Sequence, residues 1–182
     1  MAIRKIVKIG DDCLRQECRK QEKFDLRLKI LLKDMADTMY KAEGVGLAAP
    51  QVGVLRRVVV IDVGDQGDGL LELINPVITM REGEQCGREG CLSLPGRQAV
   101  VTRPRKVTVQ YQNRDGVHCE KTVEGLFARA VCHELDHLDG KLYVNRLNKK
   151  WTGKMKKVVK KEGWTVDGNS WMPGVDPDPF GH

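Results

Sequence analysis

The stretch His133-Glu134-Leu135-Asp136-His137 sits within a run where Phe127, Val131, Leu135 and Leu138 recur at helical spacing. A helix is therefore expected over residues 125–139, ended by Gly140. Positions four apart share a helix face, so both imidazoles can address one point. Two neutral imidazoles bind a divalent metal, and a carboxylate beside the first of them can reach a water at that metal and take its proton. Two of the four histidines of the chain lie here. A glutamate on so apolar a helix also needs a partner.

A catalytic site of this kind takes three protein ligands, so one more is required. A metzincin-type protease would have a third histidine where this chain has Tyr143, although Gly140 matches. A thermolysin-type protease would use a later glutamate, and Glu162 follows a lysine run, a poor place for a buried ligand. His118 and His182 read as solvent-facing. A cysteine remains, and spacing does not say which of the six (Cys13, Cys18, Cys86, Cys91, Cys119, Cys132).

Outward from this helix the pattern is α+β. Asp25 reads as the cap of a helix over 26–42, with Leu28, Leu31, Leu32, Met35 and Met39 on its core face. Val58-Val59-Val60-Ile61 reads as a buried strand, and 70–74 and 77–80 as two short strands broken at Asn75-Pro76. Val107, Val109 and Tyr111 alternate with polar residues, and Asn113-Arg114-Asp115-Gly116 turns the chain into a second strand within 117–123. A third helix is expected over 148–161. Strands and helices without regular βαβ alternation favour α+β over a doubly wound sheet.

The chain has 182 residues, 41% hydrophobic and 31% charged, which suits one folded domain with an appendage and excludes wholesale disorder. No apolar stretch is long enough for a membrane span or a signal peptide, so the cytoplasm is the expected location and the cysteines are expected to be free thiols or metal ligands. The net charge of +6 is unevenly placed. Residues 1–148 hold 24 basic and 21 acidic side chains, residues 149–161 hold seven lysines and no acid, and residues 162–182 hold four acids and no base.

Three segments carry a resemblance: Gly44-Val45-Gly46-Leu47-Ala48-Ala49-Pro50-Gln51, Glu89-Gly90-Cys91-Leu92-Ser93, and His133-Glu134-Leu135-Asp136-His137-Leu138-Asp139-Gly140. In this order they resemble the peptide deformylases, over about residues 3–148. The resemblance implies a deformylase-like α+β fold, with mixed or antiparallel sheets around the HExxH helix and a C-terminal helix. Residues 1–148 would form the catalytic domain, and 149–182 a basic helix and acidic tail that extend it. The resemblance names Cys91 as the third ligand beside His133 and His137, and implies one Fe(II) per chain, replaceable by Zn(II), Ni(II) or Co(II) in a purified sample. It implies removal of the formyl group from N-formylmethionyl polypeptides, with Glu134 as general base and then acid. The Gln51 amide and the Leu92 backbone N–H would stabilise the developing oxyanion.

Gly44, Val45 and Gly46 then read as a strand-like edge that binds an extended peptide through main-chain hydrogen bonds. The segment lacks the third glycine of a dinucleotide loop and precedes a strand, so no nucleotide cofactor is expected. Glu89 and Arg103 are expected to pair and to brace the Cys91 loop. The family usually has glutamine where this chain has Cys132. That thiol should pack rather than ligate, and a free thiol beside the metal would raise sensitivity to peroxide.

Lys149–Lys161 reads either as a solvated surface helix or as a surface for an RNA backbone, the ribosome included, without sequence readout. The three tryptophans, Trp151, Trp164 and Trp171, all lie in the last part of the chain, which leaves two readings, a tail docked on the body or on another subunit and a tail that is floppy. Two other functions fit parts of the sequence: a non-catalytic ribosome-associated protein with this fold, and a zinc peptidase.

Overall fold

The structure, a computed structural model, describes residues 2–147 and 149–180. Asn148 and His182, and the side chains of Lys149, Lys150 and Trp151, lie outside the described residues. In chain order the elements are β1 (Ile6–Val7), α1 (Leu26–Lys41), β2 (Gly46–Ala48), β3 (Val58–Ile61), β4 (Leu71–Glu82), β5 (Gln85–Cys91), β6 (Leu94–Arg103), β7 (Lys106–Gln112), β8 (His118–Glu124), α2 (Gly125–Leu138), α3 (Lys149–Lys161) and β9 (Ser170–Trp171). Short 3-10 turns punctuate them, among them Ala49–Val52 and Tyr143–Arg146.

Asp25 caps α1 as expected, accepting a hydrogen bond from Leu28 N at 3.2 Å. β2, β3, β4, β7 and β8 form one sheet in that order, and every pairing between named strands is antiparallel. This sheet is a middle layer. Val59 and Ile61 pack on one face against Val131, Leu135 and Leu138 of α2. Val58 and Val60 pack on the other face against Leu28, Leu32, Met35 and Met39 of α1. The unbroken apolar run of β3 follows, because both faces of the strand are covered.

β5 and β6 make a separate hairpin whose inner residues Cys91, Leu94, Ala99 and Val101 share a third core with Tyr143, Val144, Met155 and Trp164. α2 is enclosed by these layers, and every residue from Phe127 to Leu138 is buried. The expected α+β architecture around this helix is present.

Two local expectations need correction. Asn75-Pro76 does not break β4 into two strands. The ladder shifts register between Ile74 and Val77, and Asn75 adopts a left-handed φ of 52°. The Asn75 side chain accepts from Gln21 N (2.8 Å) and donates to Gln21 O (2.9 Å) and to Gln112 Oε1 (2.8 Å), so side-chain bonds take over where Pro76 offers no N–H. The Cys91 segment, in turn, is not an open loop: Cys91 ends β5, and Leu92-Ser93 is the hairpin turn. β5 escaped notice because Gln85-Cys86-Gly87-Arg88-Glu89-Gly90-Cys91 contains no β-branched residue.

Candidate metal centre

α2 brings His133 and His137 onto one face, with ring centroids 5.0 Å apart. The end of β5 brings Cys91 against them, its Sγ 3.3 Å from His137 Nε2. One donor atom from each of the three residues lies within 4.8 Å of the others, and all three residues are buried. Burial holds His137 well below an ordinary imidazole, in the neutral form a metal requires. Burial acts the same way on His133, but hydrogen bonds with Cys91 and Glu89 outweigh it and raise the pKa. Thiolate and imidazole suit a borderline-soft divalent ion. The residues fit such an ion, and His137 Nδ1 and Glu134 Oε2 are buried with no hydrogen-bond partner among the described residues.

His133 Nδ1 donates to Glu89 Oε2 at 3.0 Å, which leaves Nε2 for the metal side. Glu89 is gripped by Arg103 through two bonds of 2.8 and 2.9 Å and by Arg129 through a third of 2.8 Å. Arg103 also donates to Asp136 (2.6 Å), and Arg146 closes on Asp136 through two more bonds. The expected Glu89–Arg103 pair therefore belongs to a larger network. Arg129, Asp136 and Arg146 were not singled out in the sequence. Arg129 sits one turn before His133 on the same face, and Asp136 lies inside the HExxH stretch, so helical spacing held a signal for both. Tyr143, at the metzincin histidine position, instead stacks on His133 at 6.1 Å between centroids.

Glu134 is buried, and burial pushes its carboxyl up to about 7. It lies against Gly46, where an added Cβ would stand 2.5 Å from Oε1, so the absence of a side chain there makes room for the carboxylate. Gln51 is held by Ala48 N, which donates to its Oε1 at 2.9 Å. Its Nε2 is thereby turned toward Cys91 Sγ (3.6 Å) and Ser93 Oγ (3.2 Å). Leu92 touches the glycine segment, since a Cβ on Gly44 would come within 2.8 Å of its Cδ1. Gly44, Val45 and Gly46 border the free edge of the five-stranded sheet at β2.

Gly44, Val45, Gly46, Gln51, Cys91, Leu92, His133 and Glu134 line one cleft of about 300 Å³, to which Leu126, Arg129 and Ala130 of α2 also contribute. Leu126 and Ala130 are apolar wall residues that periodicity alone did not separate from core. Cys132 lies in the core shared with Val131 and Leu135, outside the metal cluster, and burial raises its pKa. A buried thiol of that kind gives no ground for added peroxide sensitivity. His118 is exposed.

Residues 3–152 match the family model described as polypeptide deformylase. The chain belongs to the polypeptide deformylase family. Among curated deformylases, that of Acetivibrio thermocellus is 58% identical over 150 residues, 81% of this chain and 85% of that one. That of Thermoanaerobacter pseudethanolicus is 54% identical over 146 residues, 80% of this chain and 90% of the other. The crystal structure of a deformylase from Legionella pneumophila superposes with a TM-score of 0.83 at 43% identity, covering 89% of this chain and 96% of that one. The Ehrlichia chaffeensis deformylase in complex with actinonin gives 0.83 at 36% identity, covering 89% and 99%. The deformylase fold and membership of an enzyme family that acts on peptides are thus established for this chain. Among the described residues, no helix is long and apolar enough to cross a membrane.

Proposed function

We propose that this chain hydrolyses the formyl amide of N-formylmethionyl polypeptides, releasing formate and a peptide with a free methionine amine. The observation that carries this reading is a cleft lined by Cys91, His133, the Glu134 carboxylate and the Gln51 amide, with His137 buried behind it in one cluster with Cys91 and His133. A divalent ion held by those three ligands would supply Lewis acidity toward the formyl oxygen and acidify a water. Fe(II), which the family implies, is the proposed ion, with Zn(II), Ni(II) or Co(II) as replacements in purified samples; metal analysis after anaerobic purification tests this.

The chain's own residues do the rest. Glu134, with a carboxyl already raised to about 7, accepts a proton from the attacking water and later gives it to the leaving amine nitrogen. The bond that forms joins the water oxygen to the formyl carbon, and the bond that breaks is the formyl C–N. Gln51 Nε2 and the Leu92 N–H donate to the formyl oxygen as it gains charge. Glu89, fixed by Arg103, orients His133. Gly44, Val45 and Gly46 pair with the peptide backbone, and Leu126 and Ala130 supply apolar surface for the methionine side chain.

Formate release from formyl-Met-Ala-Ser by the metal-loaded chain tests the reading. Glu134→Ala should lower kcat by about 10² to 10⁴. A parent that releases no formate would overturn it.

Residues 1–148 are proposed as the catalytic body and 149–182 as its extension. α3 turns Met155 inward and leaves Lys154, Lys156, Lys157, Lys160 and Lys161 exposed, which supports contact with an RNA backbone, the ribosome included. Ribosome binding should weaken with salt and with deletion of 149–182; binding indifferent to both would remove this partner. The six free cysteines support the cytoplasm as the location.

A further inference from the structure

The cleft has a wall that none of the three motifs supplies. Phe180, beyond the last residue matched to the family at 152, lines it together with Leu92 and Gly44. Contacts through Trp171 hold it there. Trp171 pairs with Ile6 across β1 and β9, is 5% exposed, and donates its indole N–H to the Leu92 carbonyl at 3.0 Å. Phe180 meets Trp171 edge-on, with centroids 5.6 Å apart and planes at 67°. Phe180 N donates to Asp178 Oδ1 at 2.9 Å, closing the last described turn. Just before it, Pro179 O lies 3.4 Å from where a Cβ on Gly96 would stand, so the tail crosses the β5–β6 hairpin closely.

Phe180 also lines an adjoining hollow formed with Gly90, Gly96, Arg97 and Gln98. His133, Glu134 and Ala130 line the cleft and not the hollow. The reacting end of a peptide belongs at the α2 side, so the chain that follows the formyl-methionine leaves past Phe180. We infer that Phe180, held by Trp171, contacts the side chain of the residue after formyl-methionine and makes this chain favour large apolar residues there. The ring offers apolar surface where the cleft meets the hollow, both of which Phe180 lines. This inference rests on the deformylase reading of the cleft.

Steady-state formate release from formyl-Met-Xaa-Ser, with Xaa as Ala, Leu, Phe or Asp, tests it in the metal-loaded full chain. The parent should favour Leu and Phe over Asp by roughly tenfold in kcat/KM, the scale of one apolar contact. Phe180→Ala should bring those ratios close to one, through KM more than kcat, and Phe180→Leu should restore most of the preference. A Phe180→Ala variant that keeps the parent's ratios overturns the contact. A parent that releases formate from every peptide with no preference for Xaa also overturns it, while deformylation stands. A parent that releases formate from none overturns the deformylase reading itself.

Discussion

Two effects on Glu89 pull in different directions. Burial opposes its charge, yet the hydrogen bonds from Arg103 and His133 prevail and hold its carboxyl at about 2, below the ordinary 4.5. A carboxylate depressed in the folded state contributes stability above its unfolded pKa and loses it as pH falls through the folded value. The metal-free chain should therefore lose on the order of 3 kcal/mol between about pH 4.5 and pH 2 from this one group. Glu89→Gln should be less stable at pH 7 and should show a flatter fall in Tm over that interval, as scanning calorimetry would record. Parallel curves for parent and variant would contradict this. At Gly46 the consequence is for chemistry. An alanine there would place its Cβ 2.5 Å from Glu134 Oε1 and push the carboxylate aside. Gly46→Ala should cut kcat by about 10² with a change in Tm of only a few degrees. At this scale the sequence was most informative where a residue type has few alternatives, as with the two histidines and the glutamate between them. It was least informative for Arg129 and Asp136. A charged residue on a helix reads as solvated surface until the opposing Glu89 and Arg103 are placed beside it.

At the scale of elements, what could be read depended on how a segment is covered. β3 was visible because both its faces are buried. β5 carries Cys91 but holds Gly87, Arg88 and Gly90 and no β-branched residue, so pairing with β6, which has the run Val100-Val101-Thr102, makes it a strand. β4 was misread because proline is a reliable strand breaker only when nothing replaces the lost ladder bond. Asn75 replaces it through the amide bonds to Gln21 and Gln112 and through its left-handed backbone. Asn75→Ala should therefore cost about 2 kcal/mol, from a φ that alanine adopts poorly plus the lost bonds. Asn75→Gly, which relieves the backbone and loses only the bonds, should cost less. Urea unfolding of the two variants separates the terms, and equal destabilisation would mean that the backbone conformation contributes nothing.

Over the whole molecule, the proposed metal ligands do not belong to one layer. Cys91 is packed in the core of the β5–β6 hairpin, with Leu94, Val101 and Tyr143, whereas α2 is seated on the five-stranded sheet through Val131, Leu135 and Leu138. An ion bound to Cys91, His133 and His137 ties those layers together, and the Glu89–Arg103–Asp136 network runs alongside as a second tie. Removal of the ion should loosen the hairpin more than the sheet. A ligand that binds only the folded chain at a hundred times its Kd adds about 2.7 kcal/mol, which for a chain of this size is roughly 5–10 °C in Tm. Chelation should lower Tm by that order, and amide exchange should quicken over residues 85–103 before it quickens in β3 and β4. Cys91→Ala should remove most of the Tm response to added metal, because two imidazoles on one helix no longer reach the hairpin. If chelation left Tm and exchange in 85–103 unchanged, the ion would contribute nothing to holding the layers, and the ion-pair network would be the tie that holds the Cys91 hairpin against α2.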